Sequence, residues 1–426
     1  MELDKDIKQR LNDYIGKALK VKTTIHWWDL YPIRSVKIKP ELQVKIVRSA
    51  IKKAGSQEKV AKIINVKQAT ISKWLLLQRD IFVCNLINLC NFVGCPFNKV
   101  ERNIVKISGL KYPNLPFNLT SPEAIKIRAA FLSDGHVPRK ITAAPHYKSN
   151  TMKAHRDLIL RCKKIFGSFK IRTKYIKDDH VFVTKFPSVI GDTLALSGVV
   201  RGNKSLINPY IPADIILGDR ETKKSYLQQV FDDEGGVGIE RRSGGKIILA
   251  RNCVIDKING LKENWVQDKK LKQVLLEKSK RKINNLIYGE SLLLNSLGIV
   301  TNLYVMKNFW VSKVGTISAQ WALEIFTKKD LENFRKTVGF TLNDKREKLE
   351  QLISNLRYSF RNNEGIEFAK TKIFEIEKNN SFKFSDLAKM FKKEKRCISL
   401  TSHYIKKLEN EKFIKKVKQG IYQLTE

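Results

Sequence analysis

The residues best placed for chemistry sit at the ends of two similar stretches, "IRAAFLSDGHV" at 127–137 and "LQQVFDDEGGV" at 227–237, 100 residues apart. Each is an apolar helix end that runs into one acid and a glycine, Asp134 with Gly135 and Glu234 with Gly235, before a β-prone segment. If the two helices pack side by side, their carboxylates meet at one end, where the negative helix C-termini add to the repulsion. A divalent, oxygen-seeking cation such as Mg²⁺ relieves that field, and a carboxylate-metal centre facing a basic surface is what phosphodiester hydrolysis needs. Asp134 and Glu234 are therefore the candidate metal ligands, with Gly135 and Gly235 counted beside them. Taken singly, an Asp-Gly after a helix is a cap and a turn, and the duplication is what raises it above that. Asp232 reads as a structural acid at the helix end, and Asp233 as a side chain on a solvated or interface face.

The rest of the chain fits a polyanionic partner. Of 426 residues, 81 are Lys or Arg and 42 Asp or Glu, a formal charge of +39 spread over the whole length. Nucleic acid leads as the partner and a membrane surface trails. An apolar content of 42% supports real cores. The six cysteines (Cys84, Cys90, Cys95, Cys162, Cys253, Cys397) form no CxxC pair, so neither a zinc site nor a disulfide framework is readable. No apolar run approaches the length of a membrane span. The expectation is an intracellular protein, in cytoplasm or nucleoid, with no membrane partner and no small-molecule cofactor, acting as a monomer.

Residues 41–105 read as short helices. Ser56 is a good N-cap, Ala61 and Ile64 face inward, Asn65 sits in a tight turn, and Ile71 and Trp74 bury the next helix. The segment resembles the helix-turn-helix of phage-repressor-like DNA-binding domains, which makes 67–76 the recognition helix, with Lys67, Gln68, Thr70 and Lys73 outward. From 121 to 358 longer helices alternate with β-rich stretches such as "KIRTKYIKDDHVFVTKF", an α+β texture. From about 365, three helices and a Gly-turned hairpin describe a winged helix.

The two acid-glycine motifs look like the paired signatures of the single-chain, two-motif LAGLIDADG homing endonucleases, "LQQVFDDEG" closely and "IRAAFLSDG" more loosely. "PYIPADII", "LLLNSLGIVTNLYV" and "FRKTVGFTLNDKREKLEQL" resemble later family segments, so the likeness spans roughly 115–358. It implies two pseudo-symmetric αββαββα repeats, paired motif helices at their interface, metal held by Asp134 and Glu234, and curved sheets astride duplex DNA. It also implies a basic catalytic residue near the end of each repeat, Lys345 in the second and Lys204 as the nearest candidate in the first. Leu132 stands where the second motif has Asp232, and Gln229 fills a position usually small, so the halves are expected to be unequal.

The strands after each motif are the expected DNA-reading surface. His136, Arg139, Lys140, His146 and Lys148 follow the first, and Arg241, Arg242, Lys246 and Arg251 follow the second; alternation lets about half of them face DNA at once. The organisation expected is 1–110 helix-turn-helix, 115–215 and 216–358 the repeats, and 364–426 the winged helix. The function expected is sequence-specific cleavage of double-stranded DNA with Mg²⁺ or another divalent cation. The competing expectation is a regulator that binds DNA without cutting, or an intron maturase, on the same core. A chain that begins with Met and lacks a splicing-type C-terminus reads as free-standing rather than as an intein.

Overall fold

The computed structural model describes residues 5–18, 21–239, 245–257, 269–312, 315–356, 364–394 and 399–425. The protein is α+β, its helices set among antiparallel strands. Both motif segments are helical, Pro122–Leu132 and Arg220–Glu234. Local chemistry starts each one. Ser121 accepts the Ala124 N–H at 3.3 Å ahead of a first-turn proline, and Asp219 accepts the Thr222 N–H at 2.8 Å.

Most of each helix's second half is buried, polar residues included. Every residue from Ile127 to Leu132 is buried, as are Leu227, Gln229, Val230, Phe231 and Asp232. The cause is packing on several sides: the two helices lie against each other, and each also meets a further helix, Met152–Phe166 for the first and Asn285–Ser296 for the second. Lys126 donates to the Gln228 Oε1 across the pair at 2.6 Å.

The glycines that close these helices are fixed by crowding. A Cβ on Gly135 would lie 2.7 Å from the Phe131 Cα, and one on Gly235 would lie 2.7 Å from both the Phe231 carbonyl oxygen and its ring. Gly235→Ala is therefore expected to lower stability by about 1–3 kcal/mol, read as a shifted denaturant midpoint.

The duplication extends to topology. In the first repeat the strands in chain order are Gly135–His136, His146–Ser149, Arg172–Ile176 and Val181–Lys185; in the second they are Gly236–Gly238, Lys246–Lys257, Asn302–Val311 and Thr316–Ile325. Both sheets have the spatial order first, second, fourth, third. One helix, Met152–Phe166, joins the middle strands of the first repeat, whereas two, Lys269–Arg281 and Asn285–Ser296, do so in the second.

The chain divides into two compact units, Met1–Gly236 with Leu249–Leu297 and Thr301–Leu323, and Val237–Ile248 with Gly298–Val300 and Glu324–Glu426. In the first, helices Gln57–Ile64 and Gln68–Leu75 are joined by a turn in which Asn65 takes φ 58°, and Ser56 accepts the Lys59 N–H. This N-terminal region is stitched to the first repeat, across the boundary drawn near residue 110. Strand Ser168–Phe169 completes a sheet with Leu110–Lys111, Ile104–Ile107, Ser35–Ile38 and Ile81–Phe82. Arg34, buried, pairs with Asp192, which also accepts from Arg201 at 2.6 Å.

The second unit holds helices Lys328–Thr337 and Asn343–Asn355. Its C-terminal part has helices Glu364–Ile376, Phe384–Lys393 and Ser399–Asn410 around Ile373, Leu387, Phe391 and Leu408. The Gly-turned hairpin Ile414–Lys418 and Ile421–Leu424 is joined by a third strand, Ser381–Lys383, which the sequence reading had not assigned.

Candidate active site

Where the motif helices end, four elements converge. The first helix stops as the Ser133 N–H bonds the Ala129 carbonyl at 2.9 Å, leaving its last carbonyls open. Lys204, at the start of the short helix Lys204–Ile207, fills that role: its Nζ donates to the Ser133 carbonyl, to the Gly135 carbonyl at 2.8 Å and to the Phe131 carbonyl at 3.4 Å. A cation there suits the negative end of the helix. Burial pushes the Lys204 ammonium down to about 8, the nearby charges of Glu234, Asp134 and Asp233 pulling it upward and that of Arg251 downward.

Arg251, on the second repeat's long strand, ties the two helix ends together. Its Nη1 donates to Glu234 at 2.9 Å and to the Leu132 carbonyl at 3.4 Å, and its Nη2 to the Ser133 hydroxyl at 3.3 Å. The other side of the guanidinium meets Glu290 at 2.7 and 2.9 Å, and Tyr226 donates to the same carboxylate at 3.3 Å. Burial works against the charge of Arg251, but Glu234 and Glu290 outweigh it and hold the group above its usual range. Burial lifts Glu290 above the ordinary carboxylate range, with Arg251 pulling the other way.

Asp233 belongs to this group. Of the two faces expected for it, solvated or interface, the structure gives the interface between the repeats: Tyr147 donates to its Oδ1 at 2.6 Å and Gln229 at 2.9 Å. Its Oδ2 is buried without a hydrogen-bond partner among the described residues. Burial raises its carboxyl far above the usual range, and the charges of Asp134 and Glu234 add to the shift. Asp232 is buried at the helix end, close enough to Lys126 to favour that ammonium's charge. Gln229, at the position the motif usually keeps small, accepts from Arg161 at 2.6 Å.

The donor set suits a hard cation. Three carboxylates, Asp134, Asp233 and Glu234, influence one another, and one buried oxygen is orphaned. Among the described residues no three His, Cys, Asp or Glu side chains are arranged to hold an ion by themselves. Mg²⁺ as a rule takes one or two carboxylates and completes its shell with water and substrate phosphate.

The other sequence candidates are placed as follows. Arg251 was expected to read DNA; instead it is 7% exposed and committed to Glu290 and Glu234. Lys246 pairs with Glu324 at 2.7 Å within the second unit. Arg241 and Arg242 lie outside the described residues. Lys345, also in the second unit, lies in the first turn of helix Asn343–Asn355 with its ammonium over the Phe340 ring at 5.8 Å. Arg139, Lys140 and Lys148 are exposed. His136 and His146 are partners on adjacent strands with ring centroids 5.0 Å apart, and burial lowers both below the usual imidazole range. In the N-terminal region Lys67, Gln68 and Lys73 are exposed and Thr70 half-buried, and Gln68 donates to Gln57 and Ser72.

Sequence reasoning missed Tyr147 and Glu290. Glu290 carried a signal, an acid amid "LIYGESLLLNSLGIV", since a charge in so apolar a helix must be paired. Arg251 carried one too: it is in phase with Ile247, Leu249 and Cys253, all on the buried side of its strand.

The depressed Lys204 has a pH consequence for the metal-free protein. The unfolded lysine holds its proton to about pH 10.4 and the folded one only to about 8, so between those values the unfolded state binds more protons and stability rises with pH. Denaturation midpoints of wild type and Lys204→Met in EDTA are expected to move in the wild type's favour from pH 7.5 to 9.5 (roughly the interval between the two pKa values).

No family model matches the chain. Among curated proteins it is similar to the glutamine–fructose-6-phosphate aminotransferase (isomerizing) of Methanocaldococcus jannaschii, 22% identical over 351 residues, 78% of this chain. The match spans 26% of that relative's length, so the activity in its name is not carried over. Among solved structures, I-DmoI in complex with DNA and Ca aligns at a TM-score of 0.31 and 10% identity, over 55% of this chain and all of that one. Full-length DUF199/WhiA from Thermatoga maritima aligns at 0.29 and 13%, over 70% and 93%. These scores lie below 0.5, and the functional reading rests on the residues of the site. Among the described residues no helix is long and apolar enough to cross a membrane.

Proposed function

We propose that the chain is a divalent-metal-dependent endonuclease acting on double-stranded DNA. One observation carries the reading: the C-termini of two duplicated, mutually packed helices bring Asp134, Asp233 and Glu234 together beside a half-buried lysine in a chain of charge +39. In this reading Asp134 and Glu234 hold the cation, and the buried Asp233, positioned by Tyr147 and Gln229, packs beside them as a carboxyl that burial favours in its neutral form. The chemistry a divalent cation supplies there is Lewis acidity toward phosphate oxygens. Arg251 fixes the rotamer of Glu234 and is itself fixed by Glu290. Lys204 places positive charge where a pentavalent phosphate gathers negative charge, and its ammonium can give up a proton near pH 8. His136, Arg139, Lys140 and Lys148 contact the duplex from the first repeat, Lys246 from the second, and Lys67, Gln68, Thr70 and Lys73 from the helix-turn-helix. Lys345 is proposed as the second repeat's basic residue.

The test is incubation with a plasmid library of random inserts in Mg²⁺ or EDTA. Linearisation of a subset in Mg²⁺ alone is expected; an intact library exposed to folded protein rejects the reading. The second reading, binding without cleavage, is favoured by the 2.9 Å Arg251–Glu234 pair, which already supplies Glu234 with a cation. Selective retention of duplexes that are never cut would establish it.

A further inference from the structure

A cleft of about 540 Å³ lies between the N-terminal region and the sheet of the first repeat, and none of its lining residues belongs to the acidic centre. Five cationic side chains line it, Lys106, Lys111, Lys170, Arg172 and Lys185, and none of the lining residues is acidic. Four of the five are exposed; Lys106 is half-buried and meets Asp80 at 3.4 Å.

Strand register makes this more than scattered surface charge. Lys106 and Lys111 are direct partners across one antiparallel pair, and Arg172 and Lys185 are direct partners across another. Like charges directly opposite each other destabilise a sheet. Two such pairs facing one cleft are at odds with stability; Asp80 offsets part of the charge at Lys106, and a polyanion in the cleft would relieve the rest. The cleft is also continuous with the proposed DNA face. Lys185 is the register partner of His146, Val183 that of Lys148, and Arg172 and Lys185 stand at the outer end of the same sheet. Lys106 and Lys111, by contrast, come from the N-terminal region, whose sheet reaches the first repeat through Ser168–Phe169.

We infer that this cleft grips the phosphodiester backbone of duplex DNA beyond the segment at the acidic centre, the hairpin Ile104–Lys111 forming one wall of a continuous track. This rests on the reading that the chain binds duplex DNA, and it is independent of whether the chain cuts. Phosphate contacts carry affinity without sequence choice, and each released counterion contributes about 0.9 to the salt slope.

The experiment measures binding by fluorescence anisotropy on a retained duplex, against log salt in Ca²⁺, for wild type, the triple variant K106Q/K111Q/K170Q and the charge-keeping K106R/K111R/K170R. The glutamine variant is expected to lose about 2–3 from the slope, to weaken on unrelated duplexes in proportion, and to melt close to wild type, since the lost Lys106–Asp80 pair is set against the removed like-charge repulsion. The arginine variant is expected to keep the slope, which distinguishes lost charge from lost fold. A glutamine variant with wild-type slope overturns the inference and leaves the duplex-binding reading standing. Equal loss in both variants overturns it, as does a slope lost only on an RNA duplex. A wild type with no salt-dependent duplex binding removes both readings.

Discussion

Asp134→Asn and Glu234→Gln are each expected to reduce single-turnover cleavage of a selected duplex in Mg²⁺ by at least about 10²–10³-fold while leaving its binding within a few-fold of wild type. Both changes keep shape and remove a charge. Both positions stand at the end of a helix whose buried packing along its length neither change touches, so the fold keeps its packing. The two variants need not behave alike. Glu234 is held by Arg251, and its neutralisation leaves that guanidinium with Glu290 alone. Asp134 is followed by the Gly135 carbonyl, which accepts from Lys204. Glu234→Gln should therefore also lower thermal stability modestly.

The largest stability effect is expected at Asp192. Its carboxylate is fully buried and is shared by Arg34 and Arg201, Arg34 also donating to the Ser188 hydroxyl and the Ile141 carbonyl, each at 2.6 Å. Replacing a buried pair by apolar groups of similar volume can be neutral, whereas removing one partner strands the other's charge. Asp192→Ala strands two guanidinium groups at once. The expected loss is about 3–5 kcal/mol in denaturant unfolding. Hydrogen exchange should place the earliest loss of protection at Ser35–Ile38 and in helix Ser188–Leu196, the elements this cluster joins. Exchange that rises uniformly over the first unit would show that the cluster is not the local seam.

These two sites differ in how readily the sequence discloses them. The acid-glycine endings were legible because helix termination is local chemistry: an apolar run, an acid, and a glycine packed against the phenylalanine four residues earlier. The bounds of helix Gln57–Ile64 were legible for the same reason, through Ser56 and Asn65. The α+β class and the repeated strand order follow from a duplication visible at 100-residue spacing.

What escaped depended on partners distant in the chain. Asp233 reads as an acid on a solvated or interface face, and only Tyr147, 86 residues earlier, decides for the interface. Arg251 was assigned by charge, as a basic residue in a basic chain, although strand alternation put it on the inward face. Asp192, in the apolar helix "SVIGDTLAL", gives no sign of the two arginines that require it. The third strand beside the C-terminal hairpin, Ser381–Lys383, is too short to be read from alternation.

The central claim is that Asp134 and Glu234 hold a divalent cation when duplex DNA is bound. Mn²⁺ titration followed by electron paramagnetic resonance, with the selected duplex present and non-cleavable at its scissile bonds, tests it most directly. Wild type is predicted to take up Mn²⁺ beyond what the duplex alone binds, and the double variant Asp134→Asn/Glu234→Gln to lose that uptake while still binding the duplex. Identical uptake by the two proteins would contradict it.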